Sequence, residues 1–452
     1  MAAIDKFSRL AALRPAQGAV VCEDRQRVEA APLDEHQGVL ARAIGANLAR
    51  TKFGTHLSVR NWHATPELPE VSATALDLLC RTADVGRSKK WRAAADDPEK
   101  WLFMDTETTG LAGGTGTYAF LVGIAWWDAG GLQVEQFVMR DFSDEYSILV
   151  ELAARIAERP VLLTFNGKTF DWPLLESRFL MTRSIQVPQL AAHLDLLHPA
   201  RAVWKLRLGS VRLVDLERDV LDAAHLGWDR QDDVPGSLIP QYYFDYLRGG
   251  SPGPLAGVVR HNRMDLRGLA ALFGKLNSLL GAEEHGETHP LDLFGLSRYL
   301  QRRGERIRAE STCVAARDRG LPLPLDAEAQ RELAQMAKRR GEYEKSAEIW
   351  KELLLDDGYR VMACEELAAY HERRSKNFEK AMEFAHLGMK ELRKPSAGMS
   401  NLSSPAGRPA SQLRRMERLE KRAARLTTKL NAMAPDSAVP LLKLGRRVVA
   451  GK

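Results

Sequence analysis

The chain has 452 residues, of which 45% are hydrophobic and 27% charged, an ordinary globular composition that predicts two to four domains. It has no apolar run of 18 residues and no apolar N-terminal segment, so we expect neither a membrane-spanning helix nor a secretory signal. The net charge of +6 is unevenly distributed along the chain. Residues 391–452 contain 14 Lys and Arg against 4 Asp and Glu, so the remaining residues have a net charge of −4. This basic segment predicts either an anionic partner or a solvated helix.

Residues 1–96 show no clear periodicity and are interpreted as an N-terminal extension. Strand and helix patterns then alternate over residues 97–283, with a hairpin turn at residues 129–131. The predicted strands lie at 101–105, 117–128, 131–142, 161–167 and within 191–200. The predicted helices lie at 143–159, 171–181, 208–221 and 254–280. A three-strand meander followed by alternating helices and strands predicts an α/β domain with a mixed sheet flanked by helices.

Strand patterns are absent after about residue 285. Two helical segments resemble each other at an offset of 34–35 residues, so that Leu333 matches Leu367 and Met336 matches Tyr370. This period is typical of tetratricopeptide repeats and predicts an all-α tetratricopeptide-like domain over residues 284–394. Residues 395–452 are predicted to hold a flexible linker and a basic amphipathic helix.

The four cysteines lie far apart in the sequence, at positions 22, 80, 313 and 364. They form neither a CxxC pair nor a disulfide framework. Such cysteines are typical of a reducing compartment, so we predict a cytoplasmic location.

Two carboxylates follow the first predicted strand of the α/β domain. Asp105 and Glu107 are two residues apart, so their side chains point to the same side of a strand. Two such charges repel each other by roughly 3–4 kcal/mol at an effective dielectric constant near 20, unless a cation lies between them. Carboxylate ligands suit Mg²⁺ or Mn²⁺. A solvated turn with incidental acids is the alternative.

Two later segments carry polar residues in similar positions. Asp171 follows a predicted strand and begins a helix, where it is either a helix cap or a ligand, and Asn166 precedes it at the spacing N-x3-F-D. His261 and Asp265 lie one helical turn apart and form either a surface ion pair or part of a site. The aromatic residues nearby are expected to be buried in the core rather than to stack on bases: Trp126, Trp127, Phe170 and Trp172.

The motifs D-x-E, N-x3-F-D and H-x3-D occur in this order and together resemble those of the DEDD exonuclease superfamily on the ribonuclease H-like fold. The segments "DTETTGLAGGTGTYAFLVGIAWW", "TFNGKTFDWPLLESR", "HLDLLHPAR" and "HNRMDL" look like the YprB-type ribonuclease H-like domain. The resemblance covers residues 97–283. It implies a ribonuclease H-like mixed sheet flanked by helices for this part of the chain.

The resemblance also implies a metal centre for two divalent cations, Mg²⁺ or Mn²⁺, about 4 Å apart. Its four carboxylate ligands would be Asp105, Glu107, Asp171 and Asp265. His261 would either accept a proton from the attacking water or only orient it, since its spacing from Asp265 is that of the family's tyrosine subclass. Three residues are expected to support the site by hydrogen bonding: Asn166, Asp195 and Asn262. The glycines at 113, 114 and 116 lack the ending of a phosphate loop and predict a tight turn near the site.

The function implied is a metal-dependent 3′–5′ exonuclease that hydrolyses single-stranded or frayed DNA or RNA. Two alternatives remain open, namely a non-catalytic nucleic-acid-binding or scaffold protein and an endonuclease with the same metal site. The basic C-terminal helix is expected either to follow a phosphate backbone or to bind a protein groove. The helical repeats predict a protein partner.

Overall fold

The computed structural model describes residues 33–64, 72–80, 97–110, 116–225, 227–228, 230, 232–394 and 409–433. The chain divides into two compact units, residues 1–288 with 298–303 and residues 289–297 with 304–452. Among the described helices, none is both long and apolar enough to cross a membrane. The flexible linker predicted from residue 395 and the turn predicted around residue 114 fall almost entirely outside the described ranges.

The first unit contains one mixed sheet of seven strands in the order β1-β2-β5-β4-β3-β6-β7. Four neighbouring pairs are antiparallel, namely β1-β2, β2-β5, β5-β4 and β4-β3. β6 is parallel to both of its neighbours, β3 and β7. The strands are β1 (Asn47–Thr51), β2 (Gly54–Ala64), β3 (Trp101–Thr108), β4 (Ala119–Asp128), β5 (Gly131–Val138), β6 (Val161–Thr164) and β7 (Ala192–Asp195). The predicted mixed sheet is therefore confirmed.

The predicted hairpin joins β4 to β5. Ala129 and Gly130 form the two-residue turn, and both have positive φ angles, of 48° and 77°. Such turns match the right-handed twist of the two strands that they connect. The turn fixes a register in which Asp128 pairs with Gly131 and Ala125 with Val134.

Helices pack on the faces of the sheet, and the long helix α8 crosses β3, β4 and β5. Aromatic rings fill this interface, where Phe103 meets Trp127 and Phe273 edge to face and these two rings are tilted against each other. The helices of this unit are α1 (Glu35–Ile44), α2 (Ala73–Cys80), α3 (Glu145–Glu158), α4 (Asp171–Thr182), α5 (Leu197–Leu208), α6 (Leu213–Asp219), α7 (Ile239–Leu247) and α8 (Gly253–Gly281).

The sheet begins before the segment predicted to contain it. β1 and β2 lie within residues 1–96, which the sequence analysis interprets as an extension, and β2 pairs with β5 far along the chain. Local sequence does not reveal a strand whose partner is so distant, because sheet propensity depends on the neighbouring strand. β3 also runs three residues beyond its predicted end, so that Glu107 as well as Asp105 lies inside the strand.

The second unit is helical in its described part, as predicted. Consecutive helices pack in pairs, α11 on α12 and α13 on α14, and the basic helix α15 packs on α14 through Leu419. The helices are α9 (Pro290–Arg302, shared with the first unit), α10 (Arg306–Asp318), α11 (Leu323–Arg340), α12 (Tyr343–Glu352), α13 (Arg360–Arg373), α14 (Phe378–Arg393) and α15 (Ala410–Met433). Their tetratricopeptide character stays a prediction.

Candidate metal centre

The carboxyl ends of the parallel strands β3, β6 and β7 meet at one edge of the sheet, a common location for ligand sites in α/β folds. Asp105 and Glu107 come from the end of β3, and Asp171 begins α4 shortly after β6. Thr106 Oγ1 donates a hydrogen bond of 2.5 Å to Asp171 Oδ1 and so ties these two elements together. α8 brings Asp265 to the same place.

Asp105 is held by a buried hydrogen-bond chain. Asn262 Nδ2 donates to Asp105 Oδ2 at 2.8 Å, and Gln136 Nε2 in turn donates to Asn262 Oδ1 at 2.8 Å. Gly123 pairs with Asp105 across the strands, and a Cβ atom at Gly123 would lie 2.0 Å from Asn262 Oδ1. The glycine therefore gives the amide room to reach the carboxylate. The structure thus places the Asn262 amide on Asp105, and its supporting role in the site stays a prediction.

The carboxylates perturb one another strongly. The pKa of Asp105 is raised well above its usual value by burial and then by the charges of Asp265, Asp171 and Glu107. The pKa of Glu107 is likewise raised by burial and by the charges of Asp265 and Asp171. Burial raises the pKa of Asp171 to about 6. Like charges are thus gathered at one point in a poorly solvated place, which is costly unless cations offset them.

His261 faces these acids with one ring nitrogen and an aspartate with the other. Its Nδ1 lies 2.8 Å from Asp233 Oδ1, and its Nε2 lies 3.5 Å from Asp265 Oδ2 and 3.9 Å from Glu107 Oε1. Because an ionised carboxylate only accepts hydrogen bonds, Asp233 favours a proton on Nδ1, and it lies closer to this nitrogen than Arg230 Nη1 does, at 3.3 Å. In the neutral imidazole Nε2 is then the acceptor, and it points toward Glu107 and Asp265.

Arg230 is the cation next to this group. Its guanidinium forms a short ion pair with Asp265 Oδ1, a 2.5 Å ion pair with Glu217 and a 3.0 Å ion pair with Asp233. Although burial alone would lower it, the pKa of Arg230 is raised by Glu217 and Asp265. The same guanidinium lowers the pKa of Asp233, against the effect of burial. Arg230 thus balances Asp265, whose Oδ2 faces His261 instead.

Asp195 and Asn166 act through the backbone. Asp195 Oδ1 accepts hydrogen bonds from the N–H groups of Asn166, at 2.8 Å, and Leu197, at 3.1 Å, and its Oδ2 accepts one from Lys168 at 3.2 Å. Asn166 has a φ of 70°, a left-handed conformation that asparagine tolerates better than most residues. Together they fix the loop that leads to Asp171. Among the described contacts, the Asn166 side chain forms no hydrogen bond with the acids.

The aromatic residues around the site divide into two groups. Trp126, Trp127 and Trp172 are buried, as predicted. The prediction for Phe170 is wrong, because its side chain is 57% exposed. This residue precedes Asp171 at the start of α4, and its position outside the periodic apolar pattern leaves its ring in solvent.

The donor set fits a divalent cation. One ligand atom from each of Glu107, His261 and Asp265 lies within 4.8 Å of the other two. Asp105 and Asp171 add further carboxylates whose raised pKa values show the cost of the uncompensated charge. Oxygen ligands with one imidazole suit Mg²⁺ or Mn²⁺ better than a soft metal.

Sequence reasoning missed three charged residues of this site, namely Glu217, Arg230 and Asp233. Arg230 and Asp233 lie in residues 228–236, where mixed charges without hydrophobic periodicity predict only a connection. Glu217 lies in the helix predicted at 208–221, where no motif marks it as part of a site. The glycine at 268 was an available signal, since a Cβ atom there would lie 1.9 Å from Glu217 Oε1. A glycine inside a long helix often marks such a close approach.

Comparison with known proteins agrees with the fold. Residues 102–277 match the RNase_H superfamily, and the sheet with its flanking helices is ribonuclease H-like. The chain is also 29% identical over 311 residues to a Bacillus subtilis (strain 168) protein named Uncharacterized protein YprB, a region that covers 68% of this chain and 73% of that one. The superfamily suggests hydrolysis of nucleic acid, and its nucleases typically use divalent metals.

Proposed function

We propose that this chain is a metal-dependent 3′–5′ exonuclease that hydrolyses phosphodiester bonds of single-stranded or frayed nucleic acid. The observation that carries the proposal is the group of four carboxylates, Asp105, Glu107, Asp171 and Asp265, gathered at the end of β3 with His261 facing two of them. The similarity of residues 102–277 to the RNase_H superfamily supports the reaction class.

The four carboxylates would hold two divalent cations, Mg²⁺ or Mn²⁺. When bound, these cations supply the positive charge that stabilises the phosphodiester transition state and promotes ionisation of water. The protein supplies the arrangement: Asn262 fixes one carboxylate by a hydrogen bond, and Thr106 fixes another. Arg230 keeps Asp265 Oδ1 engaged, so that Oδ2 is the oxygen presented to the site.

His261 would accept or orient the proton of the attacking water through Nε2. Asp233 holds the opposite nitrogen at 2.8 Å, which limits rotation of the ring and favours the tautomer with an unprotonated Nε2. A base held in one tautomer is a recurring feature of hydrolytic sites. The aspartate therefore serves as a positioning residue for the histidine.

The proposal is tested with 5′-labelled single-stranded DNA and RNA in Mg²⁺ or Mn²⁺, using the full-length chain. A ladder that shortens from the 3′ end, disappears with EDTA and is absent with Asp105→Asn would support it. A circular single-stranded DNA provides the control for the mode of cutting. Cleavage of the circle would identify the endonuclease alternative, because a circle has no 3′ end.

The non-catalytic alternative also has an observation in its favour. Arg230 already gives Asp265 a cationic partner, so part of the negative charge is balanced by the protein itself. If the chain binds nucleic acid but leaves linear and circular substrates intact with either metal, the scaffold function replaces the exonuclease.

We further propose a cytoplasmic location and a protein partner for the second unit. The cysteines at 80, 313 and 364 are buried and form no disulfide among the described residues, which supports a reducing, cytoplasmic location. The paired helices α11 to α14 support a protein partner for the second unit, since stacked helical hairpins form extended binding surfaces.

A further inference from the structure

A second charged surface lies on α8, away from the carboxylates. Arg260, Arg263 and Arg267 follow one another at helical spacing and rise about 10 Å along the axis. We call these three residues the α8 ridge. His63 of β2 lies near its two partly buried members, whose charges lower the pKa of this histidine to about 4 after the larger effect of burial.

The ridge arginines contact neutral groups. Arg260 donates to the backbone oxygen of Asp232 at 2.8 Å, and Arg263 donates to Asn61 Oδ1 at 3.2 Å. Arg267 lies over the Trp228 ring at 4.5 Å from its centroid. Within the described ranges, no carboxylate lies within salt-bridge distance of these guanidinium groups, whereas Arg140, Arg155, Arg178 and Arg230 all have such partners.

This arrangement is costly without an anion. Arg263 and Arg267 are partly buried and lie one helical turn apart, so their like charges repel each other where water screens them poorly. A row of cations without paired carboxylates is typical of a surface that receives a polyanion.

The ridge and the metal centre are joined by one short stretch of chain. Trp228 contacts Arg267 on the ridge, and Arg230, two residues later, contacts Asp265 in the site. Arg263 and Asp265 are two residues apart on α8 and therefore lie on different flanks of the helix, since each residue turns it by about 100°. A nucleic acid strand that crosses α8 would therefore contact both the ridge and the metal centre.

We infer that the α8 ridge binds the phosphate backbone of the nucleic acid strand whose end lies in the metal centre. The inference rests on the proposed function, because it names where the remainder of that substrate is held. Single-stranded nucleic acid suits the ridge, since Trp228 and three guanidinium groups combine an aromatic ring with a line of positive charge.

The test measures binding of fluorescein-labelled dT20 and rU20 by anisotropy, at 50–300 mM KCl with Mg²⁺, to the full chain carrying Asp105→Asn. Adding Arg263→Gln and Arg267→Gln should weaken binding about 10-fold at 100 mM KCl and flatten the log–log salt slope by about 1.4, or about 0.7 for each phosphate that is no longer neutralised. Arg212→Gln with Arg218→Gln is the matched control, because it removes the same charge from exposed arginines that already pair with Asp215. The control should bind as the parent does.

Arg260→Gln provides a second variant in which folding is not at risk, since this side chain is exposed, and it should flatten the slope by about 0.7. Equal affinity and equal slope for ridge variants and control would overturn the inference. Hydrolysis by the chain with Asp105 intact separates the two proposals. If the chain cleaves the substrate but the ridge variants bind as the parent does, only the inference about the ridge is refuted. If binding depends on the ridge but no cleavage occurs, only the exonuclease proposal is refuted.

Discussion

The carboxylates of the two units differ in what surrounds them. In the first unit, Asp105 and Glu107 face other acids, and burial and mutual repulsion raise the pKa values of both. In the second unit, Glu372 is buried on α13 and accepts hydrogen bonds from Arg422, Arg425 and Lys429 of α15. The acids of the first unit keep an excess of negative charge, whereas the negative charge of Glu372 is balanced by basic side chains.

This difference separates a functional cluster from a structural one. Removing an acid from the first group should stabilise the metal-free protein and abolish activity, whereas removing one from the second should destabilise its unit and leave activity intact. It also changes the interpretation of the basic C-terminal helix. Five of its cationic side chains already pair with Glu365 or Glu372. These contacts favour packing of α15 onto α13 over a free phosphate-binding surface.

The largest effect is expected from Asp105→Asn. The amide keeps the size of the side chain and can still accept the hydrogen bond from Asn262, but it removes a charge that the cations need. Metal-dependent hydrolysis should fall by about 10³-fold, since several kcal/mol of transition-state stabilisation are lost. Thermal unfolding in EDTA should occur at the same or a higher temperature than in the parent. A lower unfolding temperature would contradict the comparison, since it would mean that the charge stabilises the fold.

A smaller effect is expected from Asp233→Asn, which weakens the hold on His261 Nδ1. The turnover number kcat should fall by about 10²-fold with little change in KM, because only the proton-transfer geometry is affected. Asp232→Asn is the matched control, an exposed neighbour whose backbone oxygen, not its side chain, accepts from Arg260. Equal kcat values for the two variants would show that Asp233 does not position the histidine.

The pH dependence of stability tests the cost of burying a carboxylate at the candidate metal centre. The pKa of Asp171 is raised to about 6 in the folded chain from 3.8, so the folded state holds its proton more strongly than the unfolded state. This contribution is full below pH 4 and declines as the pH rises to about 6. In EDTA, the free energy of unfolding of the parent should therefore lose about 2 kcal/mol over this range relative to Asp171→Asn, after discounting for solvent at the site. Parallel curves for the two proteins would show that burial of the ionised Asp171 carboxylate does not destabilise the metal-free fold.

The sequence predicted the parts of the molecule that depend on local pattern. The strand that leads to Asp105, the hairpin at Ala129 and the helix that carries His261 all follow from hydrophobic periodicity and turn residues. The ordered motifs named the acids that the structure brings together. The sequence does not reveal contacts between segments that are far apart in the chain. β2 pairs with a strand far along the chain, and Asp233 meets His261 only because an aperiodic segment folds back on α8.

The smallest effect is expected from Glu372→Gln in the second unit. The glutamine keeps the shape of the side chain but removes the charge that attracts three cations, of which Arg422 is the most buried. Because the acid is buried and two of its partners are about half exposed, the loss should be about 1–2 kcal/mol, between the values for exposed and buried ion pairs. It should appear as faster proteolysis of α15 at unchanged kcat. Glu420→Gln, on the exposed face of α15, is the control. Protease resistance equal to that of the control would mean that apolar contacts through Leu419 hold the helix without the ion pairs, and the contrast between the two groups of acids would then rest on the first unit alone.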